Sequence, residues 1–334
     1  MARKKAPRAR RKTSTITTWP LYLVLVASFA LYVIYQSSAA LAIVFGVMTF
    51  VVLVALIGLE AVNGSRESGK LRSALEIVAA IAIVVVVWFA MKAVLHTNYP
   101  IDAVPSCSML QALQRGDMIV LQGTNVSGIR APQVRVTKSQ VQSMLANPNS
   151  EWLECVAYRI SGSTISISQT VMPGYSIGLF KPEPNGSGAI VPYSSQSGNL
   201  VQYACGAADA TYSNGTTVQE AYTSSITIGN TTISGDRNNS IIVYQTIPQD
   251  LFYREGDSYI VHRVYAVLNA SGTYYYLTKG DNNPGLDMQY QNYPINQTYV
   301  EGKVIAKIPL LGYLKLILSG TLSQPAGCNS TLQD

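Results

Sequence analysis

Histidine is the scarcest chemical resource in this sequence: only His96 and His262 occur among 334 residues. Any mechanism that needs an imidazole must use one of them. Cysteine is almost as sparse. The four present, Cys107, Cys155, Cys205 and Cys328, form no C-x-x-C pair, which argues against a zinc site. Charged residues make up only 13%, and the 6 phenylalanines are outnumbered by 21 tyrosines. The formal charge of +6 is misleading as a nucleic-acid signal. Seven basic residues (Arg3, Lys4, Lys5, Arg8, Arg10, Arg11 and Lys12) fall in the first twelve positions, so the remainder sums to about −1 (+6 − 7). A basic tail beside apolar segments is a topology determinant rather than a nucleic-acid surface.

What the N-terminal third has in abundance is long apolar runs, about 19–36, 39–60 and 73–95. Each is close to the length needed to cross a hydrocarbon core of about 30 Å at 1.5 Å per residue. The first does not read as a cleavable signal, because a second run follows after Gln36-Ser37-Ser38 with no clear small-residue cleavage site. Three membrane helices are therefore expected within 18–97, the first two as a hairpin. The basic tail, 1–17, and a short basic loop over Arg66–Leu71 with Arg72 beside it should be cytoplasmic. Everything beyond about His96 is then on the outer face. His96 itself would sit at the membrane exit, where an imidazole most often only tolerates the interface.

The remainder is rich in Ser, Thr, Asn and Tyr, as a polar β surface would be. Eight N-x-S/T sequons, at Asn125, Asn185, Asn214, Asn230, Asn238, Asn269, Asn296 and Asn329, agree with an outward-facing surface without proving glycosylation. Strand patterns are expected at Met118–Leu121, Ser163–Val171, Ser225–Ile228, Ser240–Gln245, Tyr259–Leu268 and Thr273–Thr278, with one helix at Lys138–Ala146. Val304–Leu318 reads as a strand followed by a membrane-surface or core segment. Cys155 and Cys205 could pair outside the cytosol or remain two buried thiols.

Three separated stretches carry chemistry. The first is Pro105-Ser106-Cys107-Ser108-Met109, with Arg115-Gly116-Asp117 behind it. The second is Tyr259-Ile260-Val261-His262-Arg263-Val264, and the third runs from Leu277-Thr278-Lys279-Gly280-Asp281 to Asp287. Serine needs a base within hydrogen-bond reach, histidine suits that role, and a carboxylate can fix its tautomer. Each piece has an ordinary reading too. A lone strand histidine is usually structural, Asp in a Gly/Asn/Pro loop is a turn former, and Arg-Gly-Asp before a strand is a turn.

Together and in this order, the stretches resemble the boxes of type I signal peptidase in its archaeal and endoplasmic-reticulum form. That family reads Ser-Gly-Ser-Met-x-Pro, Arg-Gly-Asp, Ile-Val-His-Arg-Val and Thr-Lys-Gly-Asp-Asn-Asn with a further Asp. The resemblance implies Ser108 as nucleophile, His262 as general base and Asp287 as third member, with Asp281 as a supporting acid or the alternative third member. Ser106 would face the oxyanion together with the Ser108 backbone N–H. Val300–Gly312 resembles the family's closing strand and Pro-x-x-Gly turn.

The fold so implied is a membrane-anchored, mainly β chain. Its peptidase core would comprise 98–121 and 240–320, with a large β-rich insertion of unknown role at 122–239 and a C-terminal tail at 321–334. The activity implied is a cell-membrane serine endopeptidase acting on signal-peptide-bearing preproteins, with the lipid bilayer and the translocation machinery as partners and no nucleic acid, metal or organic cofactor. The alternative is a catalytically altered homologue that acts as a surface binding or structural protein through its insertion. Two departures stand out. Cys107 occupies the family's glycine position, and Gln111 the proline position. A side chain at 107 must tolerate whatever backbone angle the glycine has.

Overall fold

The computed structural model describes residues 17–35, 39–68, 70–148, 151–183, 187–192, 199–321, 323, 325 and 327–333. The chain divides into two compact units, one up to Val94 and one from Leu95. Residues 1–16 of the basic tail and Asn185 lie outside the described residues.

In the first unit the apolar runs form α1 (Trp19–Ile34), α2 (Ala39–Ser68) and α3 (Lys70–Leu95). Pro20 lies in the first turn of α1, where a missing N–H costs nothing. The first two helices form the expected antiparallel hairpin. Thr18 Oγ1 donates to Glu60 Oε1 at 2.7 Å near one end, and Tyr35 stacks on Phe45 at 5.8 Å near the other. Thr49 Oγ1 meets Ser28 Oγ at 3.0 Å between them.

Of the three apolar runs, two form helices of spanning length among the described residues, and the first forms a shorter apolar helix. Val44–Asn63 and Ile77–Leu95 are long and apolar enough to cross a membrane. With 16 residues, α1 reaches only about 24 Å against a core of about 30 Å. The loop expected at Arg66–Leu71 is corrected. The backbone is helical up to Ser68 and again from Lys70.

The second unit is mainly β. β1 (Ile101–Ala103) and β2 (Met118–Gln122) flank the turn that holds Ser106 and Ser108, and β3 (Gln133–Arg135) and α4 (Lys138–Ala146) follow. Thr137 and Gln140 form a capping box that starts α4 at the expected residue. β4 (Glu154–Ser161), β5 (Thr164–Ser168), β6 (Ser176–Pro182) and β7 (Gly188–Pro192) form one four-stranded sheet, ordered β5-β4-β6-β7. β8 (Val201–Tyr212), β9 (Thr217–Ile228) and β10 (Thr231–Ser234) form most of another. Then come β11 (Ile241–Gln245), α5 (Leu251–Arg254), β12 (Tyr259–Ala270), β13 (Thr273–Lys279), β14 (Ile295–Asn296), β15 (Val300–Ile308), α6 (Tyr313–Leu318) and β16 (Ser330–Gln333).

The largest sheet runs β1-β2-β15-β11-β12-β13-β14, with β3 parallel to β12. It joins the start of the unit to strands more than a hundred residues later. The 122–239 stretch is not wholly separate from it, because β3 extends this sheet. The segment expected to be a C-terminal tail also has a place, since β16 pairs antiparallel with β8 as the edge of the β10-β9-β8-β16 sheet.

The two smaller sheets pack their apolar faces against β12 and β13. Leu153, Leu179, Val201 and Ile226 from one side meet Tyr265, Leu268, Leu277 and Leu286 from the other, all buried. A disulfide between Cys155 on β4 and Cys205 on β8 ties the two smaller sheets together. This settles the choice left by the sequence in favour of a bond. Closing that loop limits the unfolded chain by on the order of 4 kcal/mol.

Beside this core Glu151 is only 2% exposed. Its Oε1 accepts from the Leu200 N–H at 3.1 Å, and its Oε2 has no hydrogen-bond partner among the described residues. Burial pushes its carboxyl up to about 7, only partly offset by backbone N–H donors. A carboxyl raised in the folded state binds more protons there than in the unfolded chain, so stability declines as pH rises from about 4.5 to about 7. Glu151→Gln should remove about 1–3 kcal/mol of that decline. Denaturant unfolding of variant and wild type between pH 5 and pH 8 checks this, and parallel curves would refute it. The comparison is needed because burial also raises Glu154 and Asp250.

Candidate active site

The turn that carries Ser106 and Ser108 begins where β1 ends. Val104 is buried and exchanges two backbone hydrogen bonds across the turn, donating to Asp117 O at 2.9 Å and accepting from Gly116 N at 2.8 Å. Between them residues 106–113 form a compact turn pinned by buried Met109 and Leu113. Arg115-Gly116-Asp117 is the clasp of this turn. The Arg115 guanidinium donates to Pro105 O at 2.9 Å and to Thr321 O at 2.9 Å, over the Tyr313 ring. Asp117 accepts from the N–H groups of Gln114 at 2.9 Å and Leu310 at 3.1 Å. Gly116 has φ +87°, and a Cβ there would lie 2.1 Å from the Tyr313 ring. The tripeptide is therefore a structural turn.

The turn brings Ser108 Oγ to 2.9 Å from His262 Nε2. His262 lies on β12, opposite Ile242 of β11, and is 3% exposed. Its Nδ1 is 2.7 Å from Asp287 Oδ2, and Asp287 is 1% exposed. Two hydroxyls donate to the same carboxylate oxygen, Tyr244 at 2.9 Å and Thr278 at 2.5 Å. Burial, and then the Asp287 charge, push the Tyr244 hydroxyl well above its ordinary range, so it stays a donor. With Oδ2 an acceptor throughout, the network assigns the imidazole proton to Nδ1 and leaves the Nε2 lone pair facing Ser108. Phe252 covers the imidazole edge-on, with ring centroids 6.0 Å apart.

Ser106 Oγ lies 3.2 Å from Ser108 Oγ. Asp281 is placed differently from Asp287. It holds Arg263 through two oxygens, at 2.7 Å and 2.6 Å, while Arg263 Nη1 donates to Arg237 O and Asn239 O at 2.6 Å and 2.7 Å. Of the two acids, Asp287 contacts the imidazole and Asp281 anchors the next residue on the strand. His96 has a left-handed backbone, φ 52°, and its carbonyl oxygen would lie 1.9 Å from a Cβ at Gly123. Among the described residues no group of three or more His, Cys, Asp and Glu side chains could hold a metal ion.

Several residues of the site were not singled out by the sequence reading. Asn282 donates its backbone N–H to Ser108 O at 2.7 Å, and Gly280 admits that carbonyl, since a Cβ there would lie 2.7 Å from it. Gln289 is 1% exposed and bridges the Asp287 turn to the 122–239 stretch. It donates to Leu153 O at 2.5 Å and accepts from Thr223 Oγ1 at 2.9 Å. Cys107 is disulfide-bonded to Cys328. Four cysteines pair completely once Cys155 and Cys205 are joined, and that count is the signal that could have found this bond.

The two departures from the resembled motif behave differently. Cys107 is not among the residues with positive φ, so its side chain meets no left-handed strain, and the concern about a glycine angle is corrected. Gln111 is left-handed at φ 79°, a conformation closed to proline, whose ring fixes φ near −65°. No protein-family model matches this chain, nor does any curated protein or solved structure. Gln111→Pro should destabilise the fold by more than about 1 kcal/mol, whereas Gln111→Gly relieves the backbone while losing the same side chain. Thermal unfolding of the pair tests this, and equal loss in both would show that backbone angle is not the constraint.

Proposed function

We propose that the chain is a membrane-associated serine endopeptidase of the type I signal peptidase kind, removing signal peptides from exported preproteins. The observation that carries the proposal is the continuous hydrogen-bonded line Ser108–His262–Asp287, at 2.9 Å and 2.7 Å, with Ser106 beside the nucleophile. A buried imidazole with a carboxylate on one nitrogen and a serine hydroxyl on the other is equipped for acyl transfer.

In the proposed cycle Ser108 Oγ attacks the scissile carbonyl carbon while His262 Nε2 takes the hydroxyl proton. The Nδ1–H to Asp287 then stabilises the imidazolium. The carbonyl oxygen, now an oxyanion, faces the Ser106 hydroxyl and the Ser108 N–H, and one such donor is worth about 2.7–4 kcal/mol of barrier. As the C–N bond breaks, His262 passes its proton to the departing amine. Water then attacks the acyl-enzyme with His262 again as base and releases the carboxylate product and free Ser108.

β1 terminates the large sheet and leads directly into the nucleophile turn. An extended substrate can add to that edge and be carried toward Ser108. The two disulfides favour an oxidising compartment and so support placing this unit on the outer face, with the basic N-terminus cytoplasmic. Anchoring would raise the local concentration of substrates that are themselves membrane-inserted.

Cleavage of a preprotein by the detergent-solubilised full chain tests the reading. Ser108→Ala should abolish processing, and equal cleavage by variant and wild type would end the proposal. Asp287→Asn should lower kcat by about 10³–10⁴-fold, the scale expected when the imidazole tautomer is no longer fixed. Asp281→Asn should lower kcat less and mainly cost stability, since it weakens a half-buried, two-point ion pair with Arg263. The reverse ranking would transfer the third role to Asp281.

A further inference from the structure

Cys107 lies between the two serines, and its disulfide partner is 221 residues away in the segment that leads into β16. That segment is fastened at several points. β16 pairs with β8 over four registers, Ser330 with Tyr212 to Gln333 with Asp209, and Ser213 N donates to Asn329 O at 2.8 Å. The Asn282 side chain grips it on the other side. It donates to Ser330 O at 3.0 Å and to Gly327 O at 3.3 Å, and it accepts from Leu332 N at 2.7 Å. Gln111 Nε2 donates to Leu332 O at 2.7 Å, and Gln111 Oε1 accepts from Arg237.

These contacts converge on the backbone of one residue. Asn282 holds the Ser108 carbonyl through its own N–H, at 2.7 Å, while its side chain holds the C-terminal strand. The segment leading into that strand is covalently joined, through Cys328, to Cys107, immediately before the nucleophile. The insertion supplies the rigid end of the assembly through β8. It also supports the third acid, through the contacts of Leu153 and Thr223 with Gln289.

We propose that β16, docked on the insertion, is a brace for the nucleophile turn, and that the Cys107–Cys328 disulfide is the positioning link that holds Ser108 against His262. The proposal rests on the peptidase reading for its kinetic consequence but not for its structural one. Cys107 and Cys328 touch no substrate atom in this scheme. They act through the backbone of residue 108. The insertion acquires a role in this scheme as the platform on which the brace stands.

A dithiol reductant opens the link in a balanced exchange. One of its sulfurs attacks the disulfide and its second closes the mixed disulfide, so that Cys107 and Cys328 each gain a proton and the reductant leaves as a cyclic disulfide. Cys328 is half-buried whereas Cys155 and Cys205 are both buried, so graded reduction should open the Cys107–Cys328 bond first. Mass spectrometry after alkylation identifies which thiols have been freed.

Two measurements on the full chain in detergent then decide the matter. With only Cys107 and Cys328 freed, kcat for preprotein cleavage should fall about 10- to 100-fold, the penalty of a nucleophile displaced by about an ångström. KM should change by less than about threefold, because the loss is in the transition state. Amide hydrogen exchange over 107–110 should quicken at least about tenfold as the local opening energy falls. Reoxidation should restore both. The double variant Cys107→Ala, Cys328→Ala should match the reduced wild type and be indifferent to reductant.

Freed thiols with unchanged kcat and unchanged local exchange would overturn the brace. So would a double variant with wild-type kcat, even if its unfolding temperature is lower, since that pattern belongs to a cross-link that only stabilises. If the wild type cleaves no preprotein under conditions where a control peptidase does, the peptidase reading fails, and the exchange measurement alone decides the brace.

Discussion

One oxygen atom, Asp287 Oδ2, sets the alignment of the strands around the candidate site. It receives Tyr244 from β11, His262 from β12 and Thr278 from β13. Three neighbouring strands thus each place one polar group at the same buried point. A one-residue slip of any of them would turn its polar group to the opposite face of the sheet and leave a buried charge without its donors, a costly state. Strand register and imidazole orientation are thereby fixed by the same contacts. The short helical turn carrying Asp287 is held in turn by Gln289 and by Asn292, which donates to Asp287 O at 3.0 Å.

The parts of this arrangement with strong local signatures were legible in the sequence. β11, β12, β13 and α4 fall within a residue or two of their expected bounds, because β-branched and aromatic alternation or a capping box marks them directly. The motif resemblance groups Ser108, His262 and Asp287, and the structure brings the three together. β8 was missed because Val201–Tyr212 is rich in alanine and contains Gly206, residues with weak strand preference. Its pairing with β9 and the burial of alternate side chains decide its conformation. The first apolar run, expected at about 19–36, forms α1 over Trp19–Ile34, and its end lies within two residues of the expected one.

What no local pattern could give is the joining of distant segments. Tyr244 lies 43 residues from Asp287 and Asn282 lies 48 from Ser330, each pair meeting only through sheet topology. Arg115-Gly116-Asp117 illustrates the same point. The tripeptide is recognisable at once, but its reason for being there, a ring of contacts with Tyr313, Thr321 and Leu310, comes from about two hundred residues further on.

The span of the Cys107–Cys328 bond also places events in time. At about 5–20 residues per second of synthesis, the 221 residues between the two cysteines separate their appearance by roughly ten to forty seconds. During that interval the serine turn exists without its distal tether, and β8 waits for an edge partner. An oxidant must then act before the turn is closed. The molecule therefore has an order of completion written into its connectivity, in which a turn near the N-terminal start of the unit is among the last parts to be secured.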